Sequence, residues 1–233
     1  MAELKELLKE INEETMINDE VNFKKSELME SKKPSTKTPI LYFLEDELSN
    51  IPSGFSKGTL EELTANPLFE KRSLLEHLPI QRHPIPYCVV YCKKENKYFL
   101  IFRESGSGET RLIGKKGLLG GHIDEEDKVL IDGKVDLVKT IENGLYRELE
   151  EEANLTHELI QDVSLFGFIK IGERDTVDYD HLGLVYLIEV ENTDLKAVEE
   201  GVLSGDWFTK EEILENKESL ERWSQVVFEE LLK

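Results

Sequence analysis

The sequence predicts an α/β protein, because strand-like and helix-like patterns alternate along its second half. Two apolar runs, 87–92 and 98–103, are separated by a polar turn, which is typical of a β-hairpin. An amphipathic stretch at about 138–153 predicts a long helix, and strand-like runs follow it at 163–171 and 182–190. A last strand and two helices are predicted at 206–208, 210–214 and 220–232.

Residues 1–83 are predicted to form a mainly helical extension ahead of a main domain at 84–233. Residues 3–30 carry an apolar stripe at helical spacing, which can dock on the main domain or on a partner subunit and is compatible with a homodimer. A linker at 31–39 is rich in Pro, Ser and Lys. Residues 40–44 fit either a strand or the start of a helix, and further helical stretches are predicted near 59–63 and 68–78.

The composition limits the classes of partner. The chain has 233 residues, 39% of them hydrophobic, which is enough for a sizeable core. Its 29 basic and 49 acidic residues give a formal net charge of −20. Binding of a nucleic-acid chain needs a cationic surface, so such binding is not expected. A small nucleotide held through a metal ion remains compatible with this charge.

The cysteines and the chain start predict a cytoplasmic protein without membrane contact. Cys88 and Cys92 lie in one strand-like run, which suggests neither a disulfide framework nor a zinc cluster and fits a reducing compartment. The first residues are charged and do not resemble a signal peptide. No apolar stretch approaches the roughly 20 residues that a membrane-spanning helix needs.

An acidic helix preceded by a glycine pair is the main candidate for a functional site. Glu148, Glu151 and Glu152 stand at i, i+3 and i+4, so their carboxylates converge on one side of the predicted helix. Like charges at these spacings cost an isolated helix a few tenths of a kcal/mol per pair. A bound divalent cation would offset that cost. The turn at Gly120 and Gly121 allows the backbone to approach a ligand closely, and Gly144 is expected to let the helix pack close to a sheet.

These residues resemble the signature of the Nudix hydrolases, which is a glycine, five residues, a glutamate, seven residues and then Arg-Glu-apolar-x-Glu-Glu-x-Gly-apolar. The matching positions are Gly121, Arg147, Glu148, Leu149, Glu151, Glu152 and Leu155. Asp127 stands in place of the first glutamate, and Asn154 replaces the last glycine, although asparagine also tolerates the left-handed conformation. Nineteen residues instead of seven separate Asp127 from Arg147, so twelve are inserted. The alternative is an ordinary solvated acidic helix.

The resemblance implies an α/β/α sandwich with a mixed sheet over about 84–233, and metal-dependent cleavage of a nucleoside diphosphate linked to a group X. Magnesium is the expected metal, with manganese as the alternative. By position its ligands are Gly121, Glu148, Glu151 and Glu152. Arg147 pairs with Asp127 and orients the helix. Glu151 or Glu152 can act on the attacking water. Further candidates for the base lie in an acidic loop, whose alternative is a simply solvated loop: Glu173, Asp175, Asp178 and Asp180.

Four residues near the glycine turn are candidate substrate contacts: Arg103, Arg111, Lys116 and His122. The first three belong, with Lys115, to a basic island in an acidic protein, which could grip phosphates. Exposed loop lysines are the alternative for Lys115 and Lys116. His181 is expected to be an ordinary structural histidine.

The twelve-residue insertion is expected to contain a small hairpin at 128–135, since Asp132-Gly133 favours a type I′ turn. Two other functions remain open. One is a non-catalytic Nudix module that binds a nucleotide and regulates a partner. The other is an interaction protein whose N-terminal helices matter most. For an enzyme, we lean slightly towards nucleoside triphosphates over linked diphosphates such as ADP-ribose.

Overall fold

The computed structural model describes residues 38–75, 80–104, 112–172, 178–196 and 203–233. Its strands are β1 (Pro39–Leu44), β2 (Gly54–Ser56), β3 (Leu68–Lys71), β4 (Gln81–Cys92), β5 (Lys97–Arg103), β6 (Lys116–Gly117), β7 (Leu130–Ile131), β8 (Lys134–Val135), β9 (Ile160–Lys170), β10 (His181–Val190) and β11 (Leu203–Thr209). Its helices are α1 (Arg72–Leu75), α2 (Leu137–Ala153), α3 (Lys210–Glu215) and α4 (Arg222–Leu231). The predicted strands and helices from residue 87 onward are therefore present.

The strands form a mixed sheet with the order β11-β5-β4-β10-β9-β2. β4 and β10 are parallel, from His83 opposite His181 to Cys92 opposite Val190, whereas β9 pairs with β10 in the antiparallel sense. β1 joins β4 at its start, and β3 pairs with β1. The sheet has nine strands within the described residues.

Alternating side chains of β4 point to two hydrophobic cores. Cys88 and Val90 belong to the core beneath α2, where Leu145 and Leu149 are fully buried. Tyr87 and Val89 belong to the core on the other face, with Val227, Phe228 and Ile213 from the C-terminal helices. This period of two is what a strand buried on both faces requires. The predicted α/β/α sandwich with a mixed sheet is confirmed.

The described part of the N-terminal extension contains more strand than helix, which differs from the predicted helices. Residues 40–44 form most of β1, so the strand alternative is the right one. A short 3₁₀ turn (Leu60–Glu62) stands near 59–63, and 68–75 forms β3 followed by the single turn of α1. The predicted helix at 3–30 and linker residues 31–37 lie outside the described residues. The domain division at residue 83 and the homodimer stay predictions.

Two further expectations concern the cysteines and the membrane. Cys88 and Cys92 are buried free thiols, as expected for strand residues. Among the helices within the described ranges, none is both long and apolar enough to cross a membrane.

Candidate active site

The glycine turn is fixed from both sides by strands. The Cys88 amide donates to the Leu119 carbonyl at 2.8 Å, and the Leu41 amide donates to the Ile123 carbonyl at 2.8 Å. Gly120 has a φ of 154°, and a Cβ there would lie 2.2 Å from the carbonyl oxygen of Pro86. Only glycine fits such a position. The turn is therefore held rigidly between β4 and β1.

Carboxylates of α2 lie against this turn. A Cβ on Gly121 would lie 2.3 Å from the carboxyl group of Glu148, so the glycine leaves the space that this carboxylate occupies. The Gly120 amide donates to Oε2 of Glu152 at 2.9 Å. Glu151 projects outward, with 61% of its side chain exposed. The structure thus brings Gly121, Glu148 and Glu152 close together and leaves Glu151 on the solvent-exposed side, while their role as metal ligands stays a prediction.

Arg147 connects the carboxylates to the turn. Its Nε and Nη2 donate to the Asp127 carboxylate at 3.0 and 2.9 Å, and Nη2 also donates to the His122 carbonyl at 2.8 Å. Its Nη1 lies between Glu148 and Glu151, at 2.9 and 3.0 Å. The predicted pairing of Asp127 with Arg147 is present. A planar guanidinium suits this two-pronged contact.

Local backbone features position Asp127, Gly144 and Asn154 in and around α2. Asp127 ends a 3₁₀ turn, where its Oδ2 accepts from the Asp124 amide at 2.8 Å. A Cβ on Gly144 would lie 2.9 Å from Ile123 and 3.1 Å from Asp127, so this glycine makes room for the turn rather than for the sheet that we expected. Asn154 ends α2 with a φ of 50°, as predicted.

The inserted residues fold outside this arrangement. β7 and β8 form the expected hairpin, with Asp132 and Gly133 at positive φ of 51° and 76°. Leu130 and Ile131 on the hairpin are 58% and 45% exposed. The insertion therefore bulges outward and leaves the contact of Asp127 with Arg147 intact.

Burial disfavours the charged form of the Glu148 carboxylate. Removal from water raises its pKa to about 7, and the charges of Glu151 and Asp124 add to that rise, whereas Arg147 opposes it. Burial likewise raises the pKa of Asp124. Such a raised pKa at a carboxylate cluster is a marker of functional sites. The donors in this cluster are oxygens, which fit a hard divalent cation such as Mg²⁺.

A family model described as the NUDIX domain matches residues 81–231. The chain belongs to this family. Protein YmaB of Bacillus subtilis (strain 168) is 30% identical over 161 residues, which are 67% of this chain and 74% of YmaB. The Nudix membership confirms the predicted family and fold, and with them the enzyme class of Nudix pyrophosphohydrolases.

A solved structure shows the same Nudix fold. Tm1382, a protein proposed to be a Nudix hydrolase, superposes with a TM-score of 0.67 at 20% identity and covers 83% of this chain and 98% of its own. At this identity the likeness concerns the fold alone. A more distant match is the NUDIX domain of Shewanella oneidensis NrtR, crystallised with ADP ribose, which covers 65% of this chain and 89% of its own at 15% identity and a TM-score of 0.48.

The described residues of the predicted basic island contact other residues of this Nudix domain. Arg103 donates through Nε to Glu221 at 2.8 Å, and only 16% of its side chain is exposed. The Lys116 ammonium lies 4.8 Å from the ring centre of Phe208, and Lys115 donates to the Glu218 carbonyl at 2.9 Å. Arg111 and Glu173 lie outside the described residues. No motif in the sequence marks Glu221 as the partner of Arg103.

His122 is placed differently from the expected phosphate contact. Its carbonyl accepts from Arg147, while its ring stands 5.4 Å from that of His83 and 5.3 Å from that of His181. Its Nε2 is shielded from solvent and has no hydrogen-bond partner within the described part of the chain. The residues next to His83 in the sequence do not indicate that it is more than a strand residue.

Proposed function

We propose that this protein is a Mg²⁺-dependent pyrophosphohydrolase that cleaves a nucleoside triphosphate or a nucleoside diphosphate linked to a group X. One observation carries the proposal. The largely buried Glu148 carboxylate lies against Gly121 and is held there by Arg147, with Glu151 and Glu152 on the same helix side. Such a group of oxygen ligands suits Mg²⁺, and Mn²⁺ as the alternative.

The roles of the residues follow from their surroundings. Glu148, Glu151, Glu152 and the Gly121 carbonyl would hold the metal, which would neutralise the charge that develops on the phosphate oxygens. Arg147 acts as a positioning residue, because it ties Asp127 and the His122 carbonyl to the carboxylates. Glu151 is our choice to take the proton from the attacking water, since its side chain faces solvent.

A small nucleotide fits the surface better than a nucleic-acid chain. A groove of about 480 Å³ lies beside the second half of α2, and Arg147 and Glu151 form part of its wall, whereas Gly121, Glu148 and Glu152 do not. The net charge of −20 would repel a long polyanion. The buried free thiols Cys88 and Cys92 support a reducing cytoplasm as the compartment.

A substrate panel tests the proposal. Nucleoside triphosphates and linked diphosphates such as ADP-ribose are incubated with Mg²⁺, with Mn²⁺ and with chelator, and released phosphate, pyrophosphate and nucleoside monophosphate are measured. We expect cleavage of at least one class that stops in chelator. Tight binding of one nucleotide without any cleavage would support the regulatory module instead. Cleavage that persists in chelator would overturn the metal mechanism.

A further inference from the structure

Three histidines from separate segments meet at one point between β4, β10 and the glycine turn. The ring centres of His83, His122 and His181 are 5.3–5.4 Å apart, and one ligating atom from each lies within 4.8 Å of the other two. Residues 83 and 181 are direct partners in the parallel ladder. Arg147 anchors the His122 carbonyl from the other side. The backbone therefore fixes all three positions.

Ring nitrogens of two members of this cluster, His83 and His122, lack the hydrogen bonds that buried polar atoms normally make. His83 is fully buried, and neither its Nδ1 nor its Nε2 has a partner within the described residues. Nε2 of His122 is in the same condition. Buried polar groups nearly always have partners, and an unpartnered one carries its full desolvation cost. A bound ligand would supply the missing partners of these nitrogens.

Three imidazole rings that face one another suit a metal ion. Burial, followed by the neighbouring His181, lowers the pKa of His83 well below its usual value, and Arg72 lowers it further. Neutral imidazole is the form that binds metals.

We propose that His83, His122 and His181 form a binding site for a divalent transition-metal ion, best suited to Zn²⁺ and separate from the carboxylate site. Imidazole nitrogens suit Zn²⁺ and its neighbours, whereas Mg²⁺ takes oxygen ligands. Zn–N bonds of about 2.0–2.1 Å in a tetrahedron place nitrogens about 3.4 Å apart, so the rings, whose ligating atoms lie within 4.8 Å of one another, have to move closer when they bind the ion.

The half-buried His122 and His181 leave a side on which a fourth, exchangeable ligand can bind. The ion would also join β4 and β10 to the glycine turn, one residue from Gly121. Its occupancy would thus stabilise the turn on which the Glu148 carboxylate rests. Binding of this ion does not require the proposed hydrolysis, since the ligands and the metal of the two sites differ.

Metal loading of the full chain tests the proposal. The protein is stripped with chelator, titrated with Co²⁺ or Zn²⁺ alone, and examined by elemental analysis and by the visible absorption of bound Co²⁺. We expect one tightly bound ion per chain and the intense visible bands of tetrahedral Co²⁺. No stoichiometric loading of the wild type, or only the weak spectrum of a six-coordinate oxygen site, would overturn the proposal without any variant.

Matched variants locate the ion. His122→Gln and His181→Gln, both at half-buried positions, should lose most of the bound metal while circular dichroism shows an intact fold. His83→Gln adds a third test at the buried position. His157→Gln changes an exposed histidine outside the cluster, and Glu151→Gln changes the carboxylate site, so both should keep the ion. Equal loading of His181→Gln and the wild type would contradict the assignment.

Discussion

The carboxyl group of Glu148 occupies the place where a side chain of residue 121 would begin, 2.3 Å from an ideal Cβ on Gly121. The neighbouring Gly120 is also tightly enclosed, but its Cβ would meet the Pro86 carbonyl oxygen at 2.2 Å. A carboxylate at the end of a flexible side chain can move aside, whereas a strand backbone cannot. The two adjacent glycines therefore have different functions, one for the carboxylate and one for the fold.

Gly121→Ala should keep the fold and weaken metal use. The new methyl group displaces the Glu148 carboxylate, so more Mg²⁺ is needed for half-maximal hydrolysis while the melting temperature changes little. Gly120→Ala is the matched comparison and should lose about 1–3 kcal/mol of unfolding free energy, because it strains the backbone as well as the contact with Pro86. Titration with Mg²⁺ and thermal melts check both. Equal effects of the two changes on stability would contradict this distinction.

Glu148 should make the metal-free protein less stable as pH rises. Its pKa is raised from the usual value of 4.5 to about 7 in the folded protein, so the folded state holds its proton more tightly than the unfolded state. The resulting stabilisation is complete below the unfolded pKa and is lost as pH rises through the folded pKa.

The matched variant for this pH effect is Glu148→Gln, which cannot ionise. In chelator, its stability relative to the wild type should increase between about pH 5 and about pH 8, as denaturant unfolding would measure. Added Mg²⁺ should reduce the difference by stabilising the ionised wild type. A difference that stays constant with pH would show that Glu148 is not the titrating group.

Local patterns predicted the parts of the site that lie close together in sequence. The acidic face of α2 follows from the spacing of Glu148, Glu151 and Glu152, and the glycine turn follows from two adjacent glycines. The partner of Arg147 came from the resemblance to the Nudix signature. In each case the signal was contained in one stretch or in a known motif.

Contacts made by distant segments could not be predicted in this way. Strand β1 is recognisable only by its pairing with β3 and β4, since a short apolar run alone also fits a helix. The meeting of His83 with His181 depends on the register of two strands nearly a hundred residues apart. Arg103 reached Glu221 by the same kind of long-range packing. The residues next to each partner in the sequence do not indicate such long-range contacts.

Loss of a single metal ligand should separate catalysis from folding. Glu151→Gln removes one contact of Arg147 from a largely exposed side chain, and such a surface pair contributes little to stability. Glu152→Gln keeps an oxygen that can accept from the Gly120 amide. Both variants should lose turnover, while the melting temperature without metal holds or rises slightly as like charges are removed. Turnover near the wild-type rate in either variant would contradict its assignment as a ligand.

Removal of the inserted hairpin should change substrate choice and leave the fold intact. The Val129 carbonyl accepts from the Asp136 amide at 2.8 Å, so the two ends of the hairpin already meet, and a Gly-Gly link can replace 130–135. The exposed Leu130 and Ile131 contribute little to the core, and shortening a surface loop changes its closure entropy only slightly. Because the hairpin joins the glycine turn to α2, we expect relative kcat/KM values across the nucleotide panel to change while the melting temperature stays close to that of the full chain.

A double substitution of Leu130 and Ile131 to Ser is the control, since it keeps the hairpin backbone and removes only its apolar surface. Insoluble protein from the shortened chain would show that the hairpin supports the core, and an unchanged substrate profile would place it away from the entrance to the site.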